Sequence, residues 1–127
     1  MPSLLWHAGH AAFTNAAAFC GQGAGDWSLV SDSSIACFNV GAAAEGDLPP
    51  SAVVLDLIHQ WDKASNQCLG RLTVSDLEQP LSGWRGEFLP EECRTWGGCL
   101  AYLLPHEAYH AGAIGVLRRL RGKPNLH

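Results

Sequence analysis

With 127 residues, the chain is the length of one domain, residues 1–127. Its 47% hydrophobic against 16% charged residues exclude a disordered chain. A net charge of −4 argues against a general nucleic-acid grip, which needs a basic face, and no run of ~18 apolar residues offers a membrane span.

The first predicted helix runs from about Ser3 to Cys20, with Ser3 as cap and Gly21 or Gly23 as terminator. Trp6, His10, Phe13 and Ala17 share one face, and His7 lies to its side as a partly exposed neighbour. This stretch is not a signal peptide, because the first basic residue of the chain is Lys63. The five cysteines, Cys20, Cys37, Cys68, Cys93 and Cys99, are odd in number and contain no C-x-x-C. They read as free thiols, which with the lack of a leader predicts a cytoplasmic protein.

Residues 21 to 50 form an irregular excursion, broken by Gly21, Gly23, Gly25, Gly41 and Gly46 and closed by Pro49-Pro50. Ser33 to Ala44 within it fits a short helix or an extended piece. A second helix follows Ser51 and ends near Leu69, before Gly70, with Val54, Leu57, Ile58, Trp61 and Cys68 as its apolar stripe. The connector beyond it is polar, with Leu77 and Trp84 as anchors. The third helix is expected to start at Pro90-Glu91-Glu92 and to reach Arg121, with Gly122 as cap. Arg118, Arg119, Arg121 and Lys123 complement its C-terminal dipole. Cys99, Leu103, His106, His110, Ala113 or Ile114, and Leu117 form one inward stripe. Pro105 should kink the helix just before His106. The fold class is all-α, a helical bundle.

His106-Glu107-Ala108-Tyr109-His110 matches H-E-x-x-H. Residues at i and i+4 stack on one helix face, so both imidazoles can reach one metal ion. A zinc peptidase of this type takes a further ligand downstream. Here Ala113 and Val116 stand where one class places Gly and His, and no Asp or Glu follows Glu107. The third ligand must come from upstream, from His7, His10 or His59. His10 is the first choice because it lies on the buried stripe, and Gly9 beside it permits a close helix approach. His7 is the fallback, and His59 faces the polar side of its helix. Three histidines leave a coordination position open, as in catalytic zinc. Glu107 is the candidate general base by analogy with the peptidases.

"LLWHAGHAAF", "LTVSDLEQP" and "LLPHEAYHAGAIGVLRRLRGKP" together resemble the DinB/YfiT-like superfamily of metal-dependent proteins. The resemblance implies a four-helix bundle of up-down-down-up type holding zinc or nickel by three histidines, which map onto His10, His106 and His110. It implies a low-molecular-weight thiol as cosubstrate, and a metal-dependent thiol S-transferase or hydrolase. The family has a helix before its first histidine segment, whereas only Met1 and Pro2 precede Ser3. The bundle is therefore expected to be truncated, with residues 33–44 or a second chain in a homodimer covering the gap. A non-enzymatic metal-binding or interaction protein is the competing expectation.

Overall fold

The computed structural model describes residues 2–39, 48–86 and 88–124. These form an all-α fold of four helices packed as a bundle, with no strand among the described residues. α1 spans Leu4–Asn15 and widens into a π-helical segment, Ala16–Gly23. α2 is Asp32–Phe38, α3 is Ser51–Leu69 and α4 is Trp96–Leu120. Single 3-10 turns occupy Val74–Asp76 and Glu91–Cys93. Residues 40–47, which include Gly41, Gly46 and the second half of the 33–44 segment, lie outside the described residues.

α1 is the central element and packs on α2, α3 and α4. Ser3 caps it, its Oγ accepting from the Trp6 backbone N–H at 3.1 Å. Trp6, His10, Phe13 and Ala17 are buried as their spacing predicts. Because α1 has neighbours on several sides, His7, Gly9, Ala12 and Asn15 are buried as well. His7 is therefore not the partly exposed neighbour expected from its place beside the stripe. The π-helical segment is buried throughout, so the first helical stretch reaches Gly23 rather than Cys20.

The undecided segment is resolved as far as Phe38, where it is the helix α2. Ser31 caps it, accepting from the Ser34 N–H at 3.1 Å. Seven residues make a marginal helix in water, so its stability comes from packing. The fully buried Phe38 ring lies against Gly9 so closely that a Cβ at Gly9 would run into it. The ring also meets Trp61 edge-on at 5.7 Å between centroids. Trp61 ties α3 to the excursion by donating its indole N–H to the Leu29 carbonyl at 3.0 Å. Phe13, Phe38, Val54 and Trp61 thus form one core beneath α1, α2 and α3.

α3 has the predicted bounds, with Gly70 after its last turn. Val54 and Trp61 lead its buried stripe, joined by Ser65. A second core gathers Phe19, Leu81, Leu89, Cys93, Cys99 and Leu103. The buried anchors of the connector are Leu81 and Leu89, while Trp84 packs half-buried against this core. All five cysteines are free thiols.

α4 begins later than its proline and acids suggest. The Leu81 N–H donates to the Arg94 carbonyl at 2.8 Å, and the Trp96 N–H to the Gln79 carbonyl at 3.1 Å. This pairing holds Thr95 extended, so Pro90-Glu91-Glu92 opens a separate 3-10 turn and Thr95 becomes the true cap. Its side chain accepts from the Gly98 N–H at 3.1 Å. The helix continues through Pro105. The carbonyl that proline deprives of a partner belongs to Ala101, which is exposed to water. At the other end Gly122, at φ 70°, closes the helix. Its N–H donates to the Arg119 carbonyl and that of Lys123 to the Arg118 carbonyl, the paired bonds of a Schellman motif. No helix of the described residues is long and apolar enough to cross a membrane.

Candidate metal centre

The contact between α1 and α4 brings His10, His106 and His110 together, with one ligand nitrogen from each lying within 4.8 Å of the others. His10 and His110 are buried and His106 is half-buried. The His106 Nε2 stands 3.1 Å from the His10 Nε2 and 3.2 Å from the His110 Nε2. Pro105 therefore does not turn His106 away from its partners. His59, the remaining upstream candidate, is exposed on α3 and outside the group.

The tautomers follow from the surrounding bonds. His10 Nδ1 sits on the Phe38 carbonyl, which can only accept, so Nδ1 carries the proton. In the neutral ring Nε2 then has a bare lone pair aimed at the cluster. Trp6 stacks on this ring at 4.6 Å between centroids and donates its own N–H to the Cys37 carbonyl at 3.0 Å. α2 thus supplies two consecutive carbonyls that hold Trp6 and His10 in place. Gly9 is what allows α2 this close.

His7 holds the other side. Its Nδ1 is 2.9 Å from the Nδ1 of His110. When His110 Nδ1–H donates to His7, the His110 Nε2 is also left bare and faces inward. Outer-sphere bonds of this kind orient metal-binding histidines. The sequence placed His7 one turn from His10 as the fallback ligand; the structure sets it behind His110 instead, where it meets the His110 Nδ1.

Neutral rings alone cannot satisfy this arrangement. With the His10 Nε2 bare, the His106 Nε2 makes only one good hydrogen bond among its two contacts. If it carries a proton, it donates well to one neighbour. If it is bare, it confronts the bare nitrogen of His10. A second proton is opposed by burial, which pushes His7, His10 and His106 below the ordinary 6.5. Burial and then the charges of His10, His106 and His7 push His110 down to about 4. A divalent cation would accept all three lone pairs at once. Tetrahedral Zn–N bonds place ligand nitrogens about 3.3 Å apart, close to the 3.1 and 3.2 Å found. The donor set and the two spacings around His106 therefore fit zinc or a similar first-row ion.

His106 Nδ1 is buried without a protein partner. A cavity of about 30 Å³, lined by His106, Thr14, Asn39 and Tyr102 among others, adjoins this ring and is of the size that holds one water. Glu107 points elsewhere: its carboxylate accepts from the Asn15 side-chain amide, and it lines a cleft to which no cluster histidine contributes.

The fold so described is that of a small all-helical protein with a buried three-histidine cluster. In comparisons with protein-family models, with curated proteins and with solved structures, the chain matches none.

Proposed function

We propose that this chain binds one divalent first-row metal ion, zinc or nickel, through Nε2 of His10, His106 and His110, as a DinB/YfiT-like protein would. The observation that carries the reading is the convergence of three imidazole nitrogens that neutral rings alone cannot satisfy. The ion would supply a Lewis acid able to lower the pKa of a bound low-molecular-weight thiol or water. The Phe38 carbonyl and His7 keep the inward nitrogens of His10 and His110 bare. Burial keeps the rings neutral, the state that ligates. The resemblance in the two histidine segments favours thiol S-transfer over hydrolysis. Glu107 is not assigned the base in this reading, because its carboxylate engages Asn15.

A second reading, a metal that only ties α1 to α4, is favoured by a specific observation. The cavity that adjoins His106 is about 30 Å³, room for a water but not for an organic substrate. Cobalt substitution separates the two readings. In the first, adding a small thiol brings in a near-ultraviolet sulfur-to-cobalt band, and conjugation of the thiol to an aryl halide depends on His10. In the second, the cobalt spectrum ignores the thiol and no conjugation occurs.

The assembly belongs to the same proposal: a homodimer in which a second copy covers the outer side of α4. Support comes from Tyr102, Tyr109 and Val116, all exposed and spaced by seven residues, a repeat that suits a helix–helix seam.

A further inference from the structure

Apart from the histidines, one polar group of side chains stands out. It lies in a cleft of about 170 Å³ between α1, α3 and α4. One side carries two carboxylates, Asp62 from α3 and Glu107 from α4. The other walls are apolar, with Phe19, Leu69, Leu100 and Leu104 prominent. Two further lining residues are deeply buried, Asn15 at 8% and Ser65 at 4% exposure. The Asn15 Oδ1 and the Ser65 Oγ have no hydrogen-bond partner. Buried polar atoms without partners are uncommon in folded proteins and call for an explanation.

Each feature points to the same ligand chemistry. One N–H of the Asn15 amide donates to Glu107, and the atom left without a partner is the acceptor Oδ1. Ser65 can accept as well. Two carboxylates line the cleft, two unpartnered neutral oxygens lie buried in the residues of its wall, and the apolar walls suit hydrocarbon. Burial first, and then the charge of Glu107, push the Asp62 carboxyl above its ordinary value, while His59 opposes the shift. A divalent metal fits less well, because the only group of three or more ligating side chains among the described residues is the histidine cluster.

We infer that this cleft binds a small organic cation, a protonated primary amine on a short hydrocarbon chain, with Asp62 and Glu107 facing the ammonium and Asn15 and Ser65 accepting from it. The ammonium has three donors and no acceptor, which matches a site made of oxygens. The inference uses none of the ligating histidines and is independent of the metal reading.

Titration of the purified protein with n-butylammonium at neutral pH, followed by amide NMR shifts, tests it. Saturable shifts are expected at Asn15, Ser65 and Asn66, with n-butanol binding at least about tenfold more weakly, as the loss of a charged hydrogen bond implies. Asp62→Asn and Glu107→Gln should each weaken the amine by about tenfold and leave butanol unaffected. High salt should weaken the amine alone, a check that needs no variant. Equal binding of butanol and butylammonium, indifference to salt, or tighter binding of magnesium or calcium at the same residues would each overturn the proposal.

Discussion

At the scale of single residues, the proposed metal site rests on where protons sit in four imidazoles. The grouping of His10, His106 and His110 was legible, because two lie at i, i+4 on one stripe and the third lies on the stripe of a facing helix. What makes them competent was not legible. The Phe38 carbonyl is a backbone atom twenty-eight residues from His10, and no pattern of residue types reports it. His7 was read as a neighbour because one helix face was assumed to be buried, whereas α1 is covered on several sides. His7→Ala should therefore leave the fold in place and weaken metal binding by about 10- to 100-fold, the usual effect of losing an outer-sphere partner; a competitive chelator titration measures it. The metal-free protein should also be acid-sensitive. Its histidines bind protons less readily when folded than near 6.5 when unfolded, so stability is full above about 6.5. As pH falls from there toward the His110 value of about 4, the unfolded chain takes up more protons and stability is lost. Urea midpoints measured with chelator across this range should decline; a flat profile would contradict the burial of neutral rings.

At the scale of elements, α3 and the C-terminal end of α4 follow from periodicity and local end signals, since Pro50 ahead of α3, Gly70 after it and Gly122 after α4 act through local geometry. The start of α4 did not follow, because the bridge between Pro80 and Thr95 joins segments that no local rule connects. α2 was undecided because seven residues carry too little pattern to outweigh extended structure. Its packing is where it earns its place, and Gly9 is the point of closest approach. A methyl group at Gly9 must displace the Phe38 ring from a fully buried position. Gly9→Ala is accordingly predicted to cost about 1–3 kcal/mol of stability by urea denaturation, as overpacking does. It should also weaken metal binding, because the carbonyl that sets the His10 tautomer moves with the ring. A neutral Gly9→Ala would mean that α2 does not hold the site.

At the scale of the whole molecule, the described residues form four helices, and short α2, which holds the start of the 33–44 segment expected to fill out the bundle, packs on α1. The apolar stripe that remains open is on α4, and the proposed second copy would bury it. Light scattering should then give twice the chain mass of 13.6 kDa, and Tyr109→Glu, at the middle of the stripe, should return the protein to monomer. Wild-type monomer at working concentrations would remove the dimer from the account and leave the metal centre intact. The central claim is the metal itself, and elemental analysis of the untagged protein after gel filtration addresses it most directly. The account predicts about one zinc or nickel ion per chain, held by three histidine nitrogens, and its loss in both His10→Ala and His110→Ala variants that remain folded. A wild-type protein that carries no metal, and takes up none from zinc or nickel solutions, would contradict it.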